Sequence, residues 1–144
     1  MNGRQLVVAI GAILLYALVI GIIGGTVLPA LGLPAAYEIT VVSAGAAVIL
    51  AFLLILFLDS FDRDEYLAGG LSQPIFDVIL VTVGGLLAAA LIVYTIIEMD
   101  LDSTVITLGE FVVDLSRIVA AGVGVGAGLG VFYVRNRQYY GQED

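Results

Sequence analysis

The side chains able to do chemistry in this chain are few, and three of them share a spacing. Glu110, Asp114 and Arg117 lie four and three residues apart. On a helix that spacing puts all three on one face, with Asp114 able to pair with Arg117. If a helix starts near Thr104, this face is a charged shoulder at a membrane interface, or, if it enters the bilayer, an ion network able to gate a solute. Asp77 is the one carboxylate clearly inside an apolar stretch, three residues after Pro74. Proline favours a helix's first turn, and an anion there is stabilised by the helix dipole. Helix capping is therefore the leading reading of Asp77, and an ion pathway is its alternative. The run Asp59-Ser60-Phe61-Asp62-Arg63-Asp64-Glu65 collects carboxylates. It lacks the spacing and central glycine of an EF-hand loop, so it reads as a solvated acidic loop.

What is missing narrows the chemistry further. The sequence has no His, Cys or Trp, and its basic residues are all arginine: Arg4, Arg63, Arg117, Arg135 and Arg137. No thiolate, imidazole or lysine amine is available as nucleophile, base or metal ligand. The chain reads as a non-enzyme, with no catalytic residue, metal site or cofactor assigned. Its net charge of −8 argues against direct nucleic-acid binding, which draws its affinity from cationic contacts to phosphate. Acidic excess without lysine also suits the surface of a halophile's protein.

These residues sit in an apolar chain. Of 144 residues, 61% are hydrophobic and 12% charged, and the mean hydropathy is +1.14. Soluble domains carry roughly 25% charged residues. A domain of this size buries only about two-thirds of the surface its unfolded chain exposes, so a bilayer must solvate the rest. Four stretches have spanning length: 6–28, 39–58, 75–97 and 118–134. The first is too long for a signal-peptide core and is expected to be retained. The fold expected is an all-α bundle of four transmembrane helices in one membrane domain, residues 1–144.

Arginine counts set the expected orientation, because Lys and Arg gather on the cytoplasmic side. With both termini inside, Arg4, Arg63, Arg135 and Arg137 are inside and Arg117 is outside. Aromatic residues fall near the span ends. Tyr37, Tyr94 and Phe111 would mark the outer boundary; Phe61, Tyr66, Phe76, Phe132 and Tyr133 would mark the inner one, with Tyr139 and Tyr140 among inner headgroups.

The strongest pattern is in the fourth stretch: Gly122, Gly124, Gly126, Gly128 and Gly130. On a helix these form two rows, Gly122–Gly126–Gly130 and Gly124–Gly128. Small-residue rows let transmembrane helices approach closely, so this helix is expected to have neighbours on two sides, within the chain or in another copy. Ala17, Gly21 and Gly25 form a weaker row in the first stretch; Ser43, Ala47 and Ala51 form one in the second.

A short, acidic, lysine-free chain with four spans and the tail 135–144 inside resembles the small internal membrane proteins of haloarchaeal pleomorphic viruses, the pleolipoviruses. The resemblance covers the whole chain as architecture and rests on no diagnostic motif. It implies a virion envelope component exposed mainly on the inner face, with a possible protein partner there, and it transfers no functional residue. Two functions of different class are expected. One is a non-catalytic, multi-pass structural membrane protein, in a viral envelope or a halophile's cell membrane. The other is a small ion or solute transporter or channel using Asp77 or the Glu110–Asp114–Arg117 face. Small multidrug exporters also have four spans but depend on a glutamate in the middle of the first; here Tyr16 is the polar group at that depth.

Overall fold

The computed structural model describes residues 3–70, 72–99, 105–109 and 111–140. Among these, four helices are long and apolar enough to cross a membrane. The first begins as α1 (Gly3–Ile22), passes through a π-helical turn (Ile23–Val27) and ends as α2 (Leu28–Ala30). The widened turn contains the Gly24–Gly25 pair. It also contains Thr26, whose hydroxyl donates to the Ile22 carbonyl at 2.6 Å, a back-bond that bends helices. The stop is a Schellman motif: Leu33 N–H reaches Leu28 O and Gly32 N–H reaches Pro29 O. Gly32 takes the positive φ of 74° that this closure needs.

The other spans are α3 (Glu38–Phe57), α5 (Ser72–Glu98) and α6 (Leu115–Arg135). A one-turn helix, α4 (Arg63–Leu67), lies between α3 and α5. The chain is an all-α four-helix bundle that runs up, down, up and down. Its tight unit is α3, α5 and α6, which pack on one another; α1 lies against α3 at the edge. Most bulky apolar side chains point outward, among them Leu14, Leu15, Phe57, Leu87, Leu91 and Val134. That is the inverse of a soluble bundle and the expected form where lipid is the solvent.

The connection between α5 and α6 is not the early start of the fourth helix that the charge spacing had left open. Val105–Leu108 (β1) and Phe111–Asp114 (β2) pair as an antiparallel hairpin, with Val105 opposite Asp114 and Leu108 opposite Phe111. The reason is local. Val-Ile-Thr-Leu and Phe-Val-Val favour extended backbone. Gly109, at φ 62°, begins a two-residue reversal of the kind that closes hairpins. α6 therefore starts at Leu115.

Close packing in the core rests on small residues. A Cβ added to Gly124 would lie 2.6 Å from Ser43 Cβ and 2.9 Å from Ala89 Cβ. One added to Gly128 would lie 2.6 Å from Ala47 Cβ. One added to Gly85 would press on the Ala44 backbone and the Gly124 carbonyl. Ser43 donates its hydroxyl to Ile39 O along its own helix, so it packs without an unpaired polar group. The row Ser43–Ala47–Ala51 is buried, as expected. A Cβ on any of Gly122, Gly126 and Gly130 would meet nothing within 4 Å, so among the described residues one side of α6 is glycine-packed. In the first span, Gly24 is the glycine against α3, touching Val41. Gly21 and Gly25 face open space, because the contact row runs through Ile20 and Gly24 instead.

Candidate functional site

Asp77 lies in the second turn of α5, and its side chain is 4% exposed. Its Oδ1 accepts from Arg135 Nε at 2.7 Å. Its Oδ2 accepts from the Tyr66 hydroxyl at 2.6 Å and from Asn136 Nδ2 at 3.0 Å. The three donors come from α4 and from the end of α6. A carboxylate held this way joins α5, α4 and the end of α6. Helix capping does not describe it: Asp77 is turned into the bundle and bonded to side chains far along the chain. The physical reason is burial. An ionised carboxylate out of water needs a cation and hydrogen bonds around it, and Arg135, Tyr66 and Asn136 supply both.

A second layer fixes these donors. Asn136 is fully buried; its Oδ1 accepts from Gln73 Nε2 at 2.7 Å, and its Nδ2 also donates to Phe132 O at 3.1 Å. Tyr66 is wedged edge-on against Phe61, Phe132 and Tyr139. Burial, with the hydrogen bond to Asp77 and its negative charge next, pushes the Tyr66 phenol well above its ordinary value. Arg135 pulls the other way but does not offset them. The phenol thus stays a neutral donor. Burial, then Tyr133, also raises the Tyr140 phenol.

The acidic run 59–65 supplies structure to this end. Asp62 caps α4, its Oδ1 accepting from Glu65 N–H at 3.1 Å. Arg63 donates through Nη1 to Ile55 O and Leu56 O at the end of α3, where a cation meets exposed carbonyls. Phe61 and Tyr66 are buried. The run is thus more than a solvated loop. The tail folds back over it: Asp62 N–H donates to Tyr139 O at 2.6 Å, and Phe61 pairs with Tyr140 in an isolated bridge. Phe61, Tyr66 and Phe132 form the aromatic centre of this end, where span-end positions had suggested headgroup anchors.

The other charged set falls on different elements. Asp114 closes β2, Arg117 is exposed in the first turn of α6, and Glu110 lies outside the described residues. The shared helix face expected for Glu110, Asp114 and Arg117 does not form, because the backbone is a hairpin up to Asp114. Near the middle of the membrane-spanning helices, Tyr16 and Thr82 hydrogen-bond at 2.8 Å between hydroxyls, tying α1 to α5. Sequence reasoning singled out Asp77 and missed all three of its partners, Tyr66, Arg135 and Asn136. Arg135 directly after a glycine-rich span was the available signal, since a cation at the edge of one span and an acid inside another at the same end invite pairing.

Comparison of the chain with protein-family models, with curated proteins and with solved structures gives no match.

Proposed function

We propose that the chain is a non-catalytic, multi-pass structural membrane protein, with the end that carries Asp77 on the inner side. The observation that carries this reading is the state of the Asp77 carboxylate. Both oxygens are held by donors from α4 and the end of α6, which suits a permanent latch and not a group that exchanges ions in a transport cycle. The core around it supports the same reading, because Ser43, Ala44, Ala47, Gly124 and Gly128 fill the space between helices with backbone and small side chains. Arg63, Arg135 and Arg137 lie at the latch end, which favours the cytoplasmic or virion-interior side.

The setting proposed is a halophile's membrane, or the envelope of a pleolipovirus-like particle. Support for the first is the net charge of −8 with no lysine; support for the second is the architectural resemblance. The ordered latch end, with its aromatic centre and acidic loop, would then be the surface offered to a protein partner inside. Purified protein in liposomes should pass no ions, protons or small cations above background. Robust flux that Asp77→Asn abolishes would overturn the structural reading. Copurification with enveloped particles, against host membranes alone, tests the viral setting.

A further inference from the structure

An open-sided groove of about 470 Å³ runs between the first span and α3. Its walls include Ala17, Gly21, Gly25, Val42 and Ile49, with Glu38 at its end. It exists because Gly21 and Gly25 place no side chain there, while Ile20 and Gly24 hold the two helices together on Gly45 and Val41. We infer that this groove holds one hydrocarbon chain of a membrane lipid whose headgroup carries an ammonium.

Three features fit that occupant. From Glu38 to Ile49 the groove follows α3 for about 16 Å at 1.5 Å per residue. That is about half of a hydrocarbon core roughly 30 Å thick, so the groove is one leaflet deep. A helix from a second copy would run the full thickness and leave half its length unmatched; a lipid chain ends where the groove ends. The lining is apolar except at the span boundary, where the exposed Glu38 carboxylate meets the headgroup layer. An ammonium there satisfies it by charge and by hydrogen bonding. Inside, the chain gains dispersion contact on several sides, which an ordinary lipid-facing position does not give.

The test uses the full chain in phosphatidylcholine vesicles doped with phosphatidylethanolamine that carries a photoreactive diazirine on one acyl chain. After irradiation, label should concentrate on Ala17–Gly25 and Val42–Ile49, above exposed positions such as Val7 and Leu91. Gly21→Leu with Gly25→Leu puts two side chains into the groove, where a Cβ at either position meets nothing within 4 Å. Labelling should then drop to the level at Leu91, with helicity and melting unchanged. Glu38→Gln should remove any preference for this probe over a phosphatidylglycerol probe of the same chain. Uniform labelling of all exposed apolar positions would overturn the inference. So would groove labelling that survives the double leucine variant, or a wild-type dimer that excludes the probe and that the variant abolishes.

Discussion

Ser43 and Gly124 meet so closely that the position a Cβ would take on Gly124 lies 2.6 Å from Ser43 Cβ. One turn on, Gly128 stands in the same relation to Ala47. These two contacts set the distance between α3 and α6. In lipid there is no hydrophobic drive between helices, so close van der Waals contact must hold them.

Gly124→Ala and Gly128→Ala are therefore expected to destabilise the bundle by about 1–3 kcal/mol each, the usual range for overpacking. Gly126→Ala adds its methyl to open space and should be neutral, or stabilising by up to about 1 kcal/mol through helix propensity. Denaturant unfolding in detergent distinguishes the three. Equal losses at all three positions would show that the outer glycine row is also packed, against another copy.

The two glycine rows show where sequence reasoning ends. Alternating glycines told that α6 is approached closely, because few other residue types permit it. They did not tell which row is used, since both have the same spacing and only the partner helices differ. The four spans were legible because a run of apolar residues is a local property. Asp77 was legible as an anomaly, but its partners lie 11, 58 and 59 residues away. No local pattern encodes those distances. The hairpin was not legible for another reason: charges at helical spacing left an early helix start open, while the backbone follows a β-branched run closed by Gly109.

Asp77→Ala removes the acceptor shared by Tyr66, Asn136 and Arg135, leaving buried donors unpaired. Breaking a buried pair by removing one partner costs about 3–5 kcal/mol, and a large part of that loss is expected here. Arg135→Gln also leaves a carboxylate that is 4% exposed without its cation, but Tyr66 and Asn136 still donate to it, so the cost should be smaller than for Asp77→Ala. Thermal melts in detergent should rank Asp77→Ala well below Arg135→Gln. The reverse order would mean that the carboxylate is not the centre of the latch.

Tyr66 gives the latch end a pH dependence of definite sign. Its phenol titrates higher in the folded chain than the ordinary value of 10.0. Between those two values the folded state holds a proton that the unfolded state has released. Stability is thus complete below about pH 10 and falls as pH rises above it. Tyr66→Phe should be less stable at neutral pH, having lost the hydrogen bond to Asp77, but should show a shallower decline above pH 10. Unfolding followed by circular dichroism from pH 8 to pH 11.5 checks both parts, and parallel declines would assign the alkaline loss to other groups.

Orientation can be read with single cysteines, since the chain has none of its own. Gly3 and Gly69 both face open space, so a thiol at either should leave the packing intact. Met99, at the far end of α5, is 64% exposed. Four spans put residues 3 and 69 on one side of the membrane and residue 99 on the other. With the arginine-rich end inside, an impermeant maleimide should label Met99→Cys in intact cells. It should label Gly3→Cys and Gly69→Cys only after permeabilisation. The opposite pattern would invert the orientation and move the Asp77 latch to the outer face. Labelling of all three from outside would contradict the four-span bundle itself.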